Sequence, residues 1–138
     1  MASQFHLALP CISINKTRAF YIDIIGAQIG RSSSKWIDVN LYNHQITFTE
    51  CGPFNFDCRS YSFNGDILPS FHFGIILEEM EWKTVLNRIK SKKVNIISEV
   101  KFLESKTGEH QSFFVKDPND FTVEFKCFLN KDEVFKSS

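Results

Sequence analysis

The strongest constraint on how this chain can fold is a word it uses twice. FHLALP, at residues 5–10, and FHFGIIL, at residues 71–77, each place a histidine between large apolar residues and a small residue two positions later. Each word also opens the same run of elements. After the first, CISINKTRAFYIDIIGAQIGRS repeats apolar residues at helical spacing through Ala19, Phe20, Ile24 and Ile25. Asn15 or Thr17 is placed to cap that helix and Gly26 to stop it. A short strand over 28–31 follows, and KWIDVNLYNHQITFTE reads as a hairpin turning around Asn43.

After the second word, EEMEWKTVLNRIKSKKVNI lines up Trp82, Val85, Leu86 and Ile89 on one side of a helix. ISEVKFLES, HQSFFVKD and FTVEFKCF then read as three strands, the first two joined through a turn at Gly108. Strand, helix and three strands have occurred twice, the mark of an internal repeat. The predicted class is α+β, with two βαβββ modules in one 138-residue domain. Module one covers about residues 1–52 and module two about 70–138. Between them lies a connecting loop over about 53–69, where Gly, Pro, Asn and Ser punctuate aromatic residues. A loop of that length inside a domain is usually functional or a linker.

Composition narrows the partners. Sixteen basic and sixteen acidic side chains give a formal net charge of zero, whereas binding nucleic acid needs a clustered positive field. Fifteen phenylalanines predict that rings line the core and any cavity. Cys11, Cys51, Cys58 and Cys127 form no CxxC pair and no zinc-ribbon spacing, and read as packing residues. The first residues lack the pattern of a signal peptide, and no apolar run approaches the length of a membrane span. The expectation is a soluble protein of a reducing compartment, the cytoplasm, with neither nucleic acid nor membrane as partner.

Side chains alternate between the faces of a strand, so His6 and Ala8 oppose Phe5, Leu7 and Leu9, and His72 and Gly74 oppose Phe71, Phe73 and Ile75. On the last strand Glu124 lies with Thr122 and Lys126, opposite Phe121, Val123 and Phe125. Two imidazoles and a carboxylate thus fall on faces turned away from the helices. Two readings are open at this point. The three can be separate, with the histidines exposed or hydrogen-bonded and Glu124 paired to Lys126. They can also share a divalent cation, since two neutral histidines and one carboxylate are the donor set of a non-haem iron site with open positions.

Several stretches, taken in order, carry a resemblance: FHLALP with TRAFYIDIIGAQIGRSSSKWID, then NHQITF, LPSFHFGIIL and GEHQSFFVKDPNDFTVEFKCF. Together they cover nearly the whole chain. Their order and spacing resemble the vicinal-oxygen-chelate superfamily of glyoxalases, extradiol dioxygenases, and fosfomycin- and bleomycin-resistance proteins. The small stand-alone dioxygenase-like members are the most similar. The resemblance implies two modules whose strands form a curled mixed sheet around a cavity, helices outside. It also implies His6, His72 and Glu124 as metal ligands and a homodimer as the assembly. Fe(II) is the favoured metal, with Zn, Mn, Ni or Co as alternatives. Two departures stand out. Asp120 and Phe121 occupy the place where the family often has a Gly-Asn pair after Asp-Pro. Glu50, the candidate for a fourth ligand of the glyoxalase kind, has the wrong parity in HQITFTE.

The activity the resemblance implies is that of an extradiol-type dioxygenase cleaving the ring of a small-molecule substrate, a catechol-type compound. The rivals are a glyoxalase- or isomerase-type lyase using the same site, and a resistance-type protein that binds a small molecule without chemistry. Ring cleavage needs an acid–base group beside the open positions, for which His44, His110 and Tyr61 are the candidates. Arg31, Gln45 and Gln111 are the candidates for substrate contacts. Taken singly, each of these six also suits a surface or packing role.

Overall fold

Each repeated word starts a strand, though neither histidine stands in mid-strand. The structure, a computed structural model, describes residues 2–137. It divides into two units, one gathering residues up to Phe56 together with Asp117–Asp120, the other Asp57–Lys116 with the chain from Phe121 onward.

In the first unit β1 (His6–Cys11) leads into α1 (Ile14–Arg18), which continues as a wider-wound helix over Ala19–Ile25. Next come β2 (Gln28–Ser32), β3 (Trp36–Leu41) and β4 (His44–Glu50). The cap of α1 is Ser13 rather than Asn15 or Thr17: its backbone is extended and its hydroxyl accepts from the Lys16 amide. The helix can begin that early because Glu50 accepts from the Ile14 amide at 2.9 Å, satisfying another of the unpaired donors of a helix start. Gly26 ends the segment at φ 88, as expected. The hairpin turns through Tyr42 and Asn43, both at positive φ, a geometry whose twist matches that of the flanking strands. The sheet runs β1-β4-β3-β2, with β1 parallel to β4. Its helix side buries Ile37, Val39, Leu41, Ile46 and Phe48 beneath Phe20, Tyr21 and Ile25.

The turn Asp117–Asp120 belongs to this unit because Asp117 and Asn119 are buried in it. The Tyr21 hydroxyl donates to Asp117 at 2.7 Å, and Asn119 accepts from the Ile12 amide at 2.7 Å. Asp120, standing where the family often has glycine, takes the left-handed backbone at φ 65; short polar residues adopt it at least cost after glycine.

The second unit contains β7 (Phe73–Ile76), α2 (Glu79–Ser91), β8 (Ile96–Phe102), β9 (His110–Lys116) and β10 (Thr122–Phe128), in sheet order β7-β10-β9-β8. Acidic Glu79 and Glu81 start α2, and basic Arg88 and Lys90 finish it, in accord with the helix dipole. Trp82 packs on Phe113 and donates to the Phe125 carbonyl at 2.8 Å.

One expectation needs correction: the segment between the modules is not all loop, since it holds a hairpin of β5 (Ser60–Phe63) and β6 (Asp66–Pro69), turned at Asn64–Gly65. The α+β class with two βαβββ modules and mixed sheet is as expected. Each module pairs its first strand in parallel with its own last strand, giving two separate four-stranded sheets.

Candidate functional site

On the second unit's sheet, the face turned away from α2 carries Glu124. Its neighbour across the parallel ladder is Gly74. A Cβ at Gly74 would overlap the backbone carbonyl of Glu124. The small residue of FHFG is therefore demanded by the approach of two backbones, not by room for a side chain. His72 stands just ahead of β7, whose ladder begins at Phe73, and its Nε2 lies 3.1 Å from Glu124 Oε1. Its Nδ1 lies 3.2 Å from the Pro69 carbonyl. A carbonyl and an ionised carboxylate can only accept, so the ring donates through Nδ1 to Pro69 and, with no cation between them, through Nε2 to Glu124. Protein carbonyls fix metal-binding imidazoles in this manner.

Glu124 is buried, its side chain 8% exposed. Burial pushes its pKa up, but His72, the Ser112 hydroxyl and the Lys126 charge outweigh that, and the net direction is down. The Ser112 oxygen is itself buried and meets no partner at hydrogen-bonding geometry. The hydrogen bond with Glu124 raises the His72 pKa against the opposing effect of burial. Lys126 completes the group, with Nζ 3.9 Å from Glu124 Oε2 and 5.9 Å from the centre of the Phe128 ring.

These groups line a hollow of about 180 Å³ with Tyr61, Phe63, Phe102, His110 and Phe114. Four of the residues singled out in the sequence, His72, His110, Tyr61 and Glu124, therefore share one site. The imidazole of His110 lies 4.8 Å from both Phe102 and Phe128. Its Nδ1 is 2.8 Å from the Gly108 carbonyl, which assigns the ring proton there and leaves Nε2 as the basic atom. Burial lowers its pKa, partly offset by that carbonyl, so the neutral form is favoured.

The first unit holds the remaining candidates except one. His6 opens β1 across from Gln45, and Ala8 stands across from Thr47, itself paired with Asp38. Asp38 is 5% exposed. It accepts from Thr47 at 2.7 Å and Gln45 at 3.0 Å, with Arg31 Nε at 3.4 Å. Arg31 and Gln45 are thus occupied in holding a buried carboxylate, which needs such partners. His44 accepts from the Phe5 amide through Nδ1 at 3.0 Å. His6, His44, Asp38 and Gln45 border an open hollow of about 400 Å³. Gln111 lies with Phe113 and Val115 on the helix side of its sheet, across from Cys127, and so on the face opposite Glu124. Glu50 is spent at the start of α1.

Asp38 and Ser112 are not singled out in the sequence, and Lys126 only as a partner for Glu124, which it is at 3.9 Å. The alternation in WIDVNL gave a signal for Asp38, because Ile37, Val39 and Leu41 claim the buried side and leave Asp38 and Asn40 on the other. Two of the three expected ligands adjoin, and His6 stands on the other unit. Among the described residues, no three His, Cys, Asp or Glu side chains form a group that could hold a metal ion.

The fold has close counterparts among solved structures. The glyoxalase/bleomycin resistance protein/dioxygenase from Alicyclobacillus acidocaldarius is similar with a TM-score of 0.80 and 20% identity, covering 96% of each chain. The genomically encoded fosfomycin resistance protein from Listeria monocytogenes has a TM-score of 0.65 and 19% identity, covering 97% of this chain and 99% of that one. For the lactoylglutathione lyase from Agrobacterium tumefaciens the TM-score is 0.63 and the identity 12%, with 92% and 94% covered. No family model matches the sequence, and no curated protein matches it at a significant level. Among the described residues, no helix is long and apolar enough to cross a membrane.

Proposed function

We propose that this chain, which has the fold of the vicinal-oxygen-chelate proteins, is a metal-dependent enzyme acting on a small substrate that presents two adjacent oxygens. The observation that carries this reading is the pair of His72 and Glu124, 3.1 Å apart, with the Nδ1 proton committed to the Pro69 carbonyl. A histidine nitrogen and an ionised carboxylate oxygen, oriented and half sheltered from water, suit a divalent cation of the first transition row. The Ser112 hydroxyl, on the same face of the sheet as the carboxylate, helps keep it ionised. The third ligand in this reading is the one the family resemblance implies, His6.

A bound divalent cation, Fe(II) by preference and otherwise Zn, Mn, Ni or Co, would supply Lewis-acid stabilisation of charge on the substrate oxygens. The chain's own residues do the rest. Glu124 stays ionised and can only accept, so it offers no proton. Tyr61, Phe63, Phe102 and Phe114 give the hollow aromatic walls, with Phe102 and Phe114 buried and Tyr61 and Phe63 at its exposed rim. His110, neutral and with Nε2 as its basic atom, is the better acid–base candidate, because His44 already accepts a backbone hydrogen bond. Tyr61 is the alternative donor.

Aromatic walls favour a ring-bearing substrate, and with it ring cleavage of the extradiol kind over lyase chemistry on an aliphatic compound. Protein purified without chelators is expected to hold about one divalent ion per chain, the number for a single site. His72→Ala should abolish uptake with the fold intact; unchanged metal content would remove the assignment. Anaerobic Fe(II) reconstitution followed by a catechol panel is expected to consume oxygen and give yellow products. Silence there would leave the lyase and the binding protein. Sedimentation is expected to give a homodimer, and a monomer mass would exclude it.

A further inference from the structure

We infer that the hollow of the second unit takes a monocyclic aromatic carboxylate, its ring among the aromatic walls and its anion on Lys126. The inference deepens the reading above and rests on it for the identity of the site. Three observations carry it, and the first is size. At about 180 Å³ the hollow is only slightly larger than an apolar cavity of about 150 Å³, which accommodates benzene. The walled part of the hollow matches one ring, and a substituent on that ring can reach the open side.

The second observation is the lining. Phe63 and Phe102 lie 5.7 Å apart in a tilted arrangement, and His72 meets Phe114 edge-on at 5.6 Å. With Tyr61 these rings offer both faces and edges at separations aromatic partners prefer. An aliphatic anion would leave that surface without contacts of the same quality.

The third is charge. Lys126 is 29% exposed, and its only ionic partner among the described residues is Glu124 at 3.9 Å, the limit of an ion pair. That carboxylate has a nearer partner in His72 at 3.1 Å. Glu124 therefore engages His72 more closely than Lys126, and the ammonium is left with one distant counter-charge. A sheltered ammonium without a full counter-charge favours an anionic ligand. The hollow of the first unit has no such excess, since its buried Asp38 already holds Arg31.

The test is equilibrium binding to the full chain after chelator treatment, with benzoate, benzyl alcohol and acetate as probes. Benzoate is expected to bind saturably, and the neutral ring and the ringless anion at least tenfold more weakly. Lys126→Met should weaken benzoate at least tenfold and leave benzyl alcohol unchanged, with Lys126→Gln as the second variant if the first fails to fold. Wild-type protein that ignores benzoate, binds benzyl alcohol as tightly, or keeps its benzoate affinity without the lysine would overturn the inference. Because no metal is present, these results stand apart from the metal reading. Failed metal uptake would remove that reading and leave the affinities intact, whereas normal uptake with no benzoate binding would remove this inference alone.

Discussion

Replacing Gly74 with alanine tests how tightly the fold and the site are joined. The added Cβ would overlap the Glu124 carbonyl oxygen and come within 2.6 Å of its carbon. Neither atom belongs to a side chain that can swing away, so β7 and β10 must separate. Overpacking typically costs about 1–3 kcal/mol, and a backbone obstacle places this case at the upper end, about 3 kcal/mol. For a chain of this length each kcal/mol lowers the melting temperature by roughly 4 °C, so thermal denaturation should show a loss of about 12 °C. Gly30→Ala is the control. Its Cβ would meet the Asp38 Cβ at 3.1 Å and carbonyl at 3.2 Å, tight contacts that small shifts relieve, and it should cost about 1 kcal/mol. The glycine that costs more also carries Glu124, so the first variant should lose metal uptake and the control should not. If Gly74→Ala melts within a few degrees of the parent, the close approach of these strands is not what fixes the carboxylate.

Other consequences can be read from single contacts. Tyr21→Phe removes the 2.7 Å donor to buried Asp117 and should cost about 1.5–3 kcal/mol in urea denaturation, the usual range for hydrogen bonds to charged groups. Glu50→Ala strips an acceptor from the start of α1; a loss of about 1 kcal/mol is expected, and none if water replaces it fully. His110 binds its proton less readily folded than unfolded, through burial first and the Lys126 charge next, against the Gly108 carbonyl and the Glu124 charge. Its contribution is present above the unfolded pKa of about 6.5 and is lost as pH falls through the lower folded value. The stability difference between the parent and His110→Gln should shrink over that descent, and an opposite slope would contradict the burial described for the ring.

What the sequence disclosed, and what it withheld, follows from how far each signal reaches. Apolar periodicity and turn residues act over a few positions, and through them both βαβββ modules, the Gly26 stop and the Asn43 hairpin were legible. Parity identifies the face of His72 and Glu124, but Gln111, expected to contact substrate, lies on the packed side, where the alternation in HQSFFV sets it beside Phe113. Parity cannot name partners. That His72 reaches Glu124, and that Arg31 and Gln45 converge on Asp38, depends on ladder registers and on which polar side chain becomes buried. The β5–β6 hairpin escapes the sequence reading although Asn64–Gly65 is a strong turn signal and Ser60–Phe63 alternates polar and aromatic residues, because strands of four residues are too short for the period to stand out from a loop.

The turn Asp117–Asp120 has a consequence for how the polypeptide matures. During synthesis, residues up to Phe56 leave the ribosome long before the segment that accepts from Tyr21 and from the Ile12 amide. Until then those donors have only water, and the apolar surface around Tyr21 cannot close over them. Contacts this distant in sequence form slowly, so the amino-terminal half waits for its last few side chains instead of folding as it emerges. A fragment cut after Phe56 would stay incomplete, and supplying the remainder as a separate chain would be the way to rescue it.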